Sequence, residues 1–336
     1  MPRTSKPEPE VAVVVATHSR AHLLPRLVGA LENQEQAPPF EVLIVDDAST
    51  DDTWPVLERL AAAAAVPIRP LRQPANRGPA AARNAGWRAS AAGLVAFTDD
   101  DCAPQPHWLR ELAEGLRGAD VAQGRTVPDP DELEQMGPFS RSLAIASEDG
   151  FYQTCNIGYR RETLEQAGGF DERFRFPAGE DTDLAWRARA VGATTCFRPE
   201  AVVRHTVRPS SWAAAARDTW RWQSIALAVK RNPRLRELIY ARWIWRRSHL
   251  LLAWALLGLA IGAVASGLAP APGIALGWLV AVALCLPYVR YRTVVAPLPA
   301  TGRRRRWLLL PATFALDACE VIACLVGSVR HRTFVW

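Results

Sequence analysis

The chain has 336 residues, 49% hydrophobic and 22% charged, with a formal net charge of +6. That is apolar material for one large or two modest globular units, and it excludes a mainly disordered chain. The positive charge is concentrated, with arginine and tryptophan crowding residues 217–247 and four arginines at 303–306. This pattern suits phosphate or anionic lipid, and without zinc-finger spacing or an aromatic RNA-binding motif, nucleic acid is not an expected partner.

Residues 1–10, MPRTSKPEPE, are polar and carry no apolar h-region, so they read as a disordered lead-in without a cleavable signal peptide, and the first domain is expected in the cytosol. Residues 11–16 form a β-branched run of the kind buried on both faces of a sheet. The run ends at Thr17-His18-Ser19-Arg20 before a helical pattern of Leu23, Leu24, Leu27 and Leu31. Residues 40–45 repeat the design, ending in Asp46-Asp47-Ala48-Ser49-Thr50-Asp51 before a helix over 53–65. A short strand at 68–71 and the turn Asn76-Arg77-Gly78 lead into an alanine-rich helix with Arg83, Asn84 and Trp87.

Residues 94–98 are the next strand, and they stop at Asp99, Asp100 and Asp101. Adjacent carboxylates at the edge of a low-dielectric interior repel and need a cation. A divalent metal carrying a diphosphate supplies one, and an acidic helix-capping turn is the bland alternative. A helix over 106–117, a strand over 121–127, a weakly patterned loop over 128–150, a strand over 155–160 and a helix over 162–167 follow. Gly168-Gly169 stops that helix, and Glu180-Asp181-Thr182-Asp183 opens another, where acids also suit the helix dipole. Alternating strands and helices imply an α/β fold with a mostly parallel sheet and helices on both faces. Ligands then gather at the carboxyl ends of the strands, where Asp46, Asp47, Asp99 and Asp101 lie.

Past His205 the composition changes. Residues 209–247 read as basic, Trp-rich interfacial helices. Residues 250–268 are apolar throughout, and at 1.5 Å per residue they reach roughly 28 Å, close to a hydrocarbon core of ~30 Å. An uncharged turn at 269–273 and a return at 274–289 complete a transmembrane hairpin whose flanking arginines all lie at one end, which is expected to be cytoplasmic. Residues 307–329 form a third apolar tract, interrupted by Asp317 and Glu320; it is expected to span with these acids facing other helices, the alternative being that it lies partly in the interface. The six cysteines form no CxxC pair and read as reduced thiols.

Three acidic sites in one α/β domain form a constellation that chance does not readily supply. Carboxylates at 46–47 can bond a nucleoside, the triplet can hold a metal on a diphosphate, and a third carboxylate can act as base. With VVVATHSR, FEVLIVDDASTDDT, NRGPAAARNAG, VAFTDDDCAPQPHWL, NIGYRRETLEQAGGFDERF and GEDTDLAWRARAVG in this order, residues 11–205 resemble the family 2 glycosyltransferases of the GT-A fold. The resemblance implies a GT-A domain over 11–208 (Rossmann-like), followed by an α-helical membrane region over 248–336, and inverting transfer of a sugar from a nucleoside-diphosphate donor. It implies that Thr17, Arg20, Asp46, Asp47, Asn76, Arg83, Asp99 and Asp100 serve the donor. Asp99, Asp101 and His205 would serve Mg²⁺ or Mn²⁺, and Asp181 of the Glu180-Asp181 pair would be the general base. Asp100 is expected to point toward sugar or solvent.

His18-Ser19 stands where the family often has Tyr-Asn, and Cys102 where a further Asp is frequent. No Q-x-x-R-W motif follows His205, which favours transfer of a single sugar over polymerisation. The acceptor is then a glycan or a lipid-linked molecule, and the enzyme a multi-pass protein of the inner membrane with its catalytic domain in the cytoplasm. A catalytically silent nucleotide-sugar-binding scaffold and a nucleotidyltransferase are the alternatives.

Overall fold

The first strand, β1 (Val11–Thr17), is buried along almost its whole length, and its two faces serve different cores. Val11, Val13 and Val15 pack with Leu24, Leu27, Leu31, Leu57, Trp108 and Leu112, whereas Ala12 and Val14 pack with Ala80, Trp87, Phe97, Tyr159 and Leu184. An uninterrupted apolar run is what a strand covered on both sides requires, because successive side chains alternate between faces. The computed structural model describes residues 8–336, so residues 1–7 of the expected disordered lead-in lie outside the described residues. The chain divides into two units, one of residues up to Glu134 together with Ser142–Val207, the other of Gln135–Arg141 together with Arg208–Trp336.

In the first unit, β1 is followed by α1 (Leu24–Glu32), β2 (Phe40–Asp46), α2 (Thr53–Ala63), β3 (Ile68–Arg72), α3 (Pro79–Ala89) and β4 (Leu94–Thr98). Next come β5 (Cys102–Pro104), α4 (Trp108–Gly118), β6 (Val121–Pro128), β7 (Asn156–Arg160), α5 (Arg161–Ala167), α6 (Glu180–Ala190) and β8 (Thr195–His205). The sheet runs β3-β2-β1-β4-β7-β6-β8-β5, parallel from β3 to β4 and mixed beyond it.

Two strands depart from the sequence reading. Between the triplet and the helix expected over 106–117 lies β5, which pairs antiparallel with β8 and sets Cys102 opposite His205. The second, β8, is hidden in sequence because Arg198, Pro199 and Glu200 interrupt its alternation. The pairing with β6 absorbs them in a register shift between Gly124 and Arg125. A side chain at Gly124 would collide with Asn156 and the Ala201 carbonyl.

The second unit holds α7 (Trp212–Asp218), α8 (Ile225–Arg231), α9 (Arg247–Leu268), α10 (Ala271–Arg290), α11 (Arg303–Leu308) and α12 (Leu310–His331). Three stretches are long and apolar enough to cross a membrane: Arg247–Leu268, Ala271–Val295 and Leu310–His331, with mean hydropathies of 2.1, 1.9 and 1.7. Helices α9 and α10 form a hairpin through small residues, Gly258 against Ala281 and Gly277 against Ala265, which lets the backbones approach. Pro287 lies inside α10, and the helix ends in a π-turn at Tyr291–Val295. The acids that interrupt the third tract are buried in ion pairs. Asp317 accepts from the Tyr288 hydroxyl at 2.7 Å and from Arg292 Nε at 2.8 Å, and Glu320 Oε1 lies 2.9 Å from Arg246 Nε.

Trp108 is fully buried and its indole N–H donates to Asn156 Oδ1 at 2.8 Å, tying α4 to β7. Trp108→Ala is expected to cost about 3–5 kcal/mol. Guanidinium denaturation checks this, and an unchanged midpoint would contradict the packing described.

Candidate active site

The triplet follows β4 directly, and its three carboxylates go three ways. Asp100 does not face sugar or solvent: it is 3% exposed and accepts from Thr17 Oγ1 at 2.7 Å and Arg20 Nη1 at 2.5 Å. This corrects the expectation for its side chain. The turn after β4 directs the middle residue inward, toward the end of β1, where a hydroxyl and a guanidinium meet it. Burial pushes the Asp100 carboxyl up to about 6, against the pull of Arg20. Thr17 and Arg20, expected to serve the donor, thus hold the triplet in place.

Asp99 is partly exposed and accepts from Arg83 Nη2 at 2.8 Å. The same guanidinium donates through Nη1 to Glu180 Oε1 at 2.9 Å, so a residue of α3 joins the triplet to the first turn of α6. Arg83 is 4% exposed, and although burial opposes its charge, Asp99 and Glu180 outweigh that and raise its pKa. Glu180 is itself pushed up by burial and drawn back by Arg83. Two buried atoms of this bridge, Arg83 Nε and Glu180 Oε2, have no hydrogen-bond partner among the described residues.

Asp181 is next in α6, whose entry is made by Gly179 at φ +90°. It is partly exposed, and its Oδ1 accepts from the Thr182 amide at 2.7 Å. Burial, and then the neighbouring Glu180 charge, push its carboxyl up to about 7, overcoming the amide bond that favours the anion. Asp183 turns away and pairs with Arg187 Nε at 2.8 Å, one helical turn on.

Asp101 is buried, with His205 Nε2 3.6 Å from its Oδ1 and Arg20 Nη1 3.4 Å from its Oδ2. An Asp101 carboxylate oxygen, a His205 ring nitrogen and the Cys102 thiol lie within 4.8 Å of one another. His205 Nδ1 is 2.9 Å from the Thr206 carbonyl, which only accepts, so Nδ1 carries a proton; in the neutral imidazole the Nε2 lone pair then turns toward Asp101. Two acceptors facing each other at that distance suit a cation between them, with the carbonyl orienting the imidazole from behind. Burial and then Asp101 hold the Cys102 thiol well above its ordinary pKa. The oxygen and nitrogen left over suit Mg²⁺ or Mn²⁺. Asp99, expected in this set, lies outside the cluster and answers to Arg83. Cys102 was not anticipated in it, because only the unpredicted pairing of β5 with β8 brings it beside His205.

Asp46 and Asp47 sit at the end of β2, in the first half of the sheet. Asp46 Oδ1 accepts from the Ser49 amide at 2.9 Å, and Arg72 Nε lies 3.3 Å from its Oδ2. Asp47 accepts from the amides of Arg77 at 2.9 Å and Gly78 at 2.7 Å, bracing the loop that carries the exposed Asn76. Gly78 adopts φ +89°, and a Cβ there would fall 2.8 Å from the Arg175 carbonyl oxygen.

A family model for glycosyl transferase family 2 matches residues 12–171, and one for glycosyl transferase family group 2 matches residues 94–296, more than half of the chain. Among curated relatives, the pre-mycofactocin glycosyltransferase of Mycobacterium tuberculosis is 29% identical over 268 residues, covering 75% of this chain and 53% of that protein. The chain therefore spans about half the length of that relative. Among solved structures, the mannosyltransferase PcManGT from Pyrobaculum calidifontis in complex with GDP-Man and Mn²⁺ aligns with a TM-score of 0.52 at 18% identity, over 97% of this chain and 87% of that one. S. aureus TarS 1-349 in complex with UDP-GlcNAc aligns with a TM-score of 0.52 at 16% identity, over 96% and 92%. At these identities the likeness is one of fold.

Removing the guanidinium that links the two acidic sites leaves Glu180 buried without its cation. Arg83→Ala is expected to destabilise the protein by about 3–5 kcal/mol, and Arg83→Lys by less. Denaturation midpoints for both variants check this, and an Arg83→Ala midpoint equal to wild type would contradict the bridge.

Proposed function

We propose, on the premise that this chain belongs to glycosyl transferase family 2 and is a glycosyltransferase, that it moves a single sugar with inversion from a nucleoside-diphosphate donor to an acceptor hydroxyl or phosphate, with Asp181 as general base. The observation that carries this reading is the Arg83 bridge. It fixes Asp99 of the triplet and Glu180 of the helix start on one guanidinium, and so sets the donor platform and the adjacent Asp181 in register. The solved neighbours were captured with GDP-Man and Mn²⁺ and with UDP-GlcNAc, which supports a nucleotide sugar as the donor class.

In this reading Asp46, Asp47 and the Asn76 loop face the nucleoside, Asp99, held from behind by Arg83, faces the diphosphate-sugar, and Asp101 with His205 holds a divalent cation, Mg²⁺ or Mn²⁺. When bound, the cation supplies Lewis-acid stabilisation of the charge that develops on the leaving diphosphate. The acceptor oxygen attacks the anomeric carbon from the face opposite that group, a new C–O bond forms as the old one breaks, and Asp181 takes the acceptor proton. Glu180 cannot share this task while it is bound to Arg83, so it positions the pair. Asp100, held by Thr17 and Arg20, positions the triplet.

The acceptor is a glycan or a lipid-linked molecule. The membrane helices, with arginines gathered at one end of the hairpin, support a multi-pass inner-membrane enzyme whose catalytic unit faces the cytoplasm.

A general base works in its ionised form, so activity should rise with pH through about 7, the value of the Asp181 carboxyl, and fall on the acid side as Asp181 is protonated. Asp181→Asn should lower kcat by about 10²–10⁴-fold, abolish that acid limb and leave donor binding intact. Nucleotide release from a panel of nucleoside-diphosphate sugars measures both. Wild-type turnover by the Asn variant would refute the assignment.

A further inference from the structure

All three apolar tracts are long enough to span, but only two of them are packed as a pair. Along the α9–α10 hairpin the residue pairings run antiparallel, from Gly258 with Ala281 to Gly277 with Ala265. Helix α12 does not follow them. Asp317 and Glu320, near its middle, meet Arg292 and Tyr288 at the close of α10 and Arg246 at the entry to α9, so the centre of α12 lies level with one end of the hairpin.

Both halves of α12 are tied to chain that precedes α9. The Trp212 indole donates to the Ala312 carbonyl at 3.0 Å, and Arg330 Nη1 donates to Gln223 Oε1 at 3.1 Å. Beyond the helix, the Trp336 amide donates to the Trp243 carbonyl at 2.9 Å, and the Trp245 amide to the Trp336 carbonyl at 2.6 Å. A helix of 22 residues is about 33 Å long. Were it a third span, its far end would sit beside the turn between α9 and α10, not beside the residues that lead into α9.

The exposed side of α12 is apolar. Ile322, Val326 and Val329 are 53%, 37% and 81% exposed and share one helical face, while the opposite face buries Asp317, Glu320, Cys324 and Ser328. Ile322 and the exposed Trp220 border a cavity of about 390 Å³ whose rim carries Arg217. Exposed Arg303, Arg304 and Arg305 precede the helix with no acid among them.

We propose that α12 lies in the membrane surface instead of crossing it, and that its Ile322–Val326–Val329 face, with Trp220, is a docking surface for the acyl region of the leaflet on the side where α9 begins. Continuity with the hairpin argues for lipid as the occupant, since Leu310 and Phe314 of α12 pack on Leu252, Ala255 and Tyr288 of α9 and α10. The charge pattern agrees: arginines flank an apolar face, with tryptophan beside it, as in helices held at anionic headgroups. The chain then spans twice, and residues 333–336 return to the side of the catalytic unit.

Topology reporters fused to the full chain, before Met1, within the turn at 269–273 or after Trp336, test this. Alkaline phosphatase and green fluorescent protein read opposite sides. The Met1 and Trp336 reporters are expected on one side and the turn reporter on the other. A Trp336 reporter on the side of the turn means three spans and overturns the proposal, as does recovery of the chain in the soluble fraction or all three reporters on one side. A second measurement reads depth: a fluorophore on Val329→Cys, with the partly exposed Cys196, Cys285 and Cys319 replaced by alanine, should be quenched most by lipids carrying the quencher on the first acyl carbons below the headgroup. Strongest quenching from the acyl-chain ends, or none at any depth, contradicts surface docking.

Discussion

Arg83 is a buried cation, held between two carboxylates that belong to different parts of the chain. A buried guanidinium is costly unless its fork is filled by anions, and a buried glutamate is costly unless a cation meets it. Each therefore makes the other tolerable. The pairing is strict, because Asp99 follows β4 and Glu180 begins α6. Helix α3 must lie against both, and its packing on β1 and β2 secures that: Gly86 sits so close to Val14 and Val45 that a side chain could not be added without moving them.

The remaining acids follow from the same constraint. A single cation cannot neutralise Asp99, Asp100 and Asp101, and the structure distributes them: Arg83 takes Asp99, while Arg20 and Thr17 take Asp100. Asp101 meets the edge of Arg20 through Oδ2 and faces His205 through Oδ1 across a gap that suits a cation. The dispersal leaves Asp181 beside an occupied Glu180, and confinement next to a like charge places its carboxyl near neutrality. In the proposed reaction that is the value a base needs, since it must be ionised at rest and still accept a proton in the transition state.

Much of the first unit was legible because its parallel strands are buried on both faces and so are written as unbroken apolar runs, as at β1, β2 and β4. The acidic tips stood out where those runs stopped. Pairings of short or interrupted strands were not legible: β5 is three residues long, and β8 carries Arg198, Pro199 and Glu200 in its middle. Since that pairing brings His205 to Asp101 and Cys102, a lone histidine in the sequence could be suspected but not located. The direction of Asp100 was misread for a related reason, because a triplet shows how many charges there are and not which way a turn faces them. In the second unit, hydropathy found three helices of spanning length. It carries no record of partners, and the partners of Asp317 and Glu320 set the centre of α12 level with the base of the hairpin.

The central claim is that the acids gathered around Arg83 form a site for a nucleoside diphosphate and a divalent cation. Titration calorimetry of the purified full chain with UDP, GDP and dTDP, each with and without Mn²⁺, tests it most directly. At least one nucleotide should bind, more tightly with Mn²⁺ present, and the Mn²⁺ effect should vanish in His205→Ala. Absence of binding by every nucleotide in both conditions, or binding that Mn²⁺ leaves unchanged, would contradict the account.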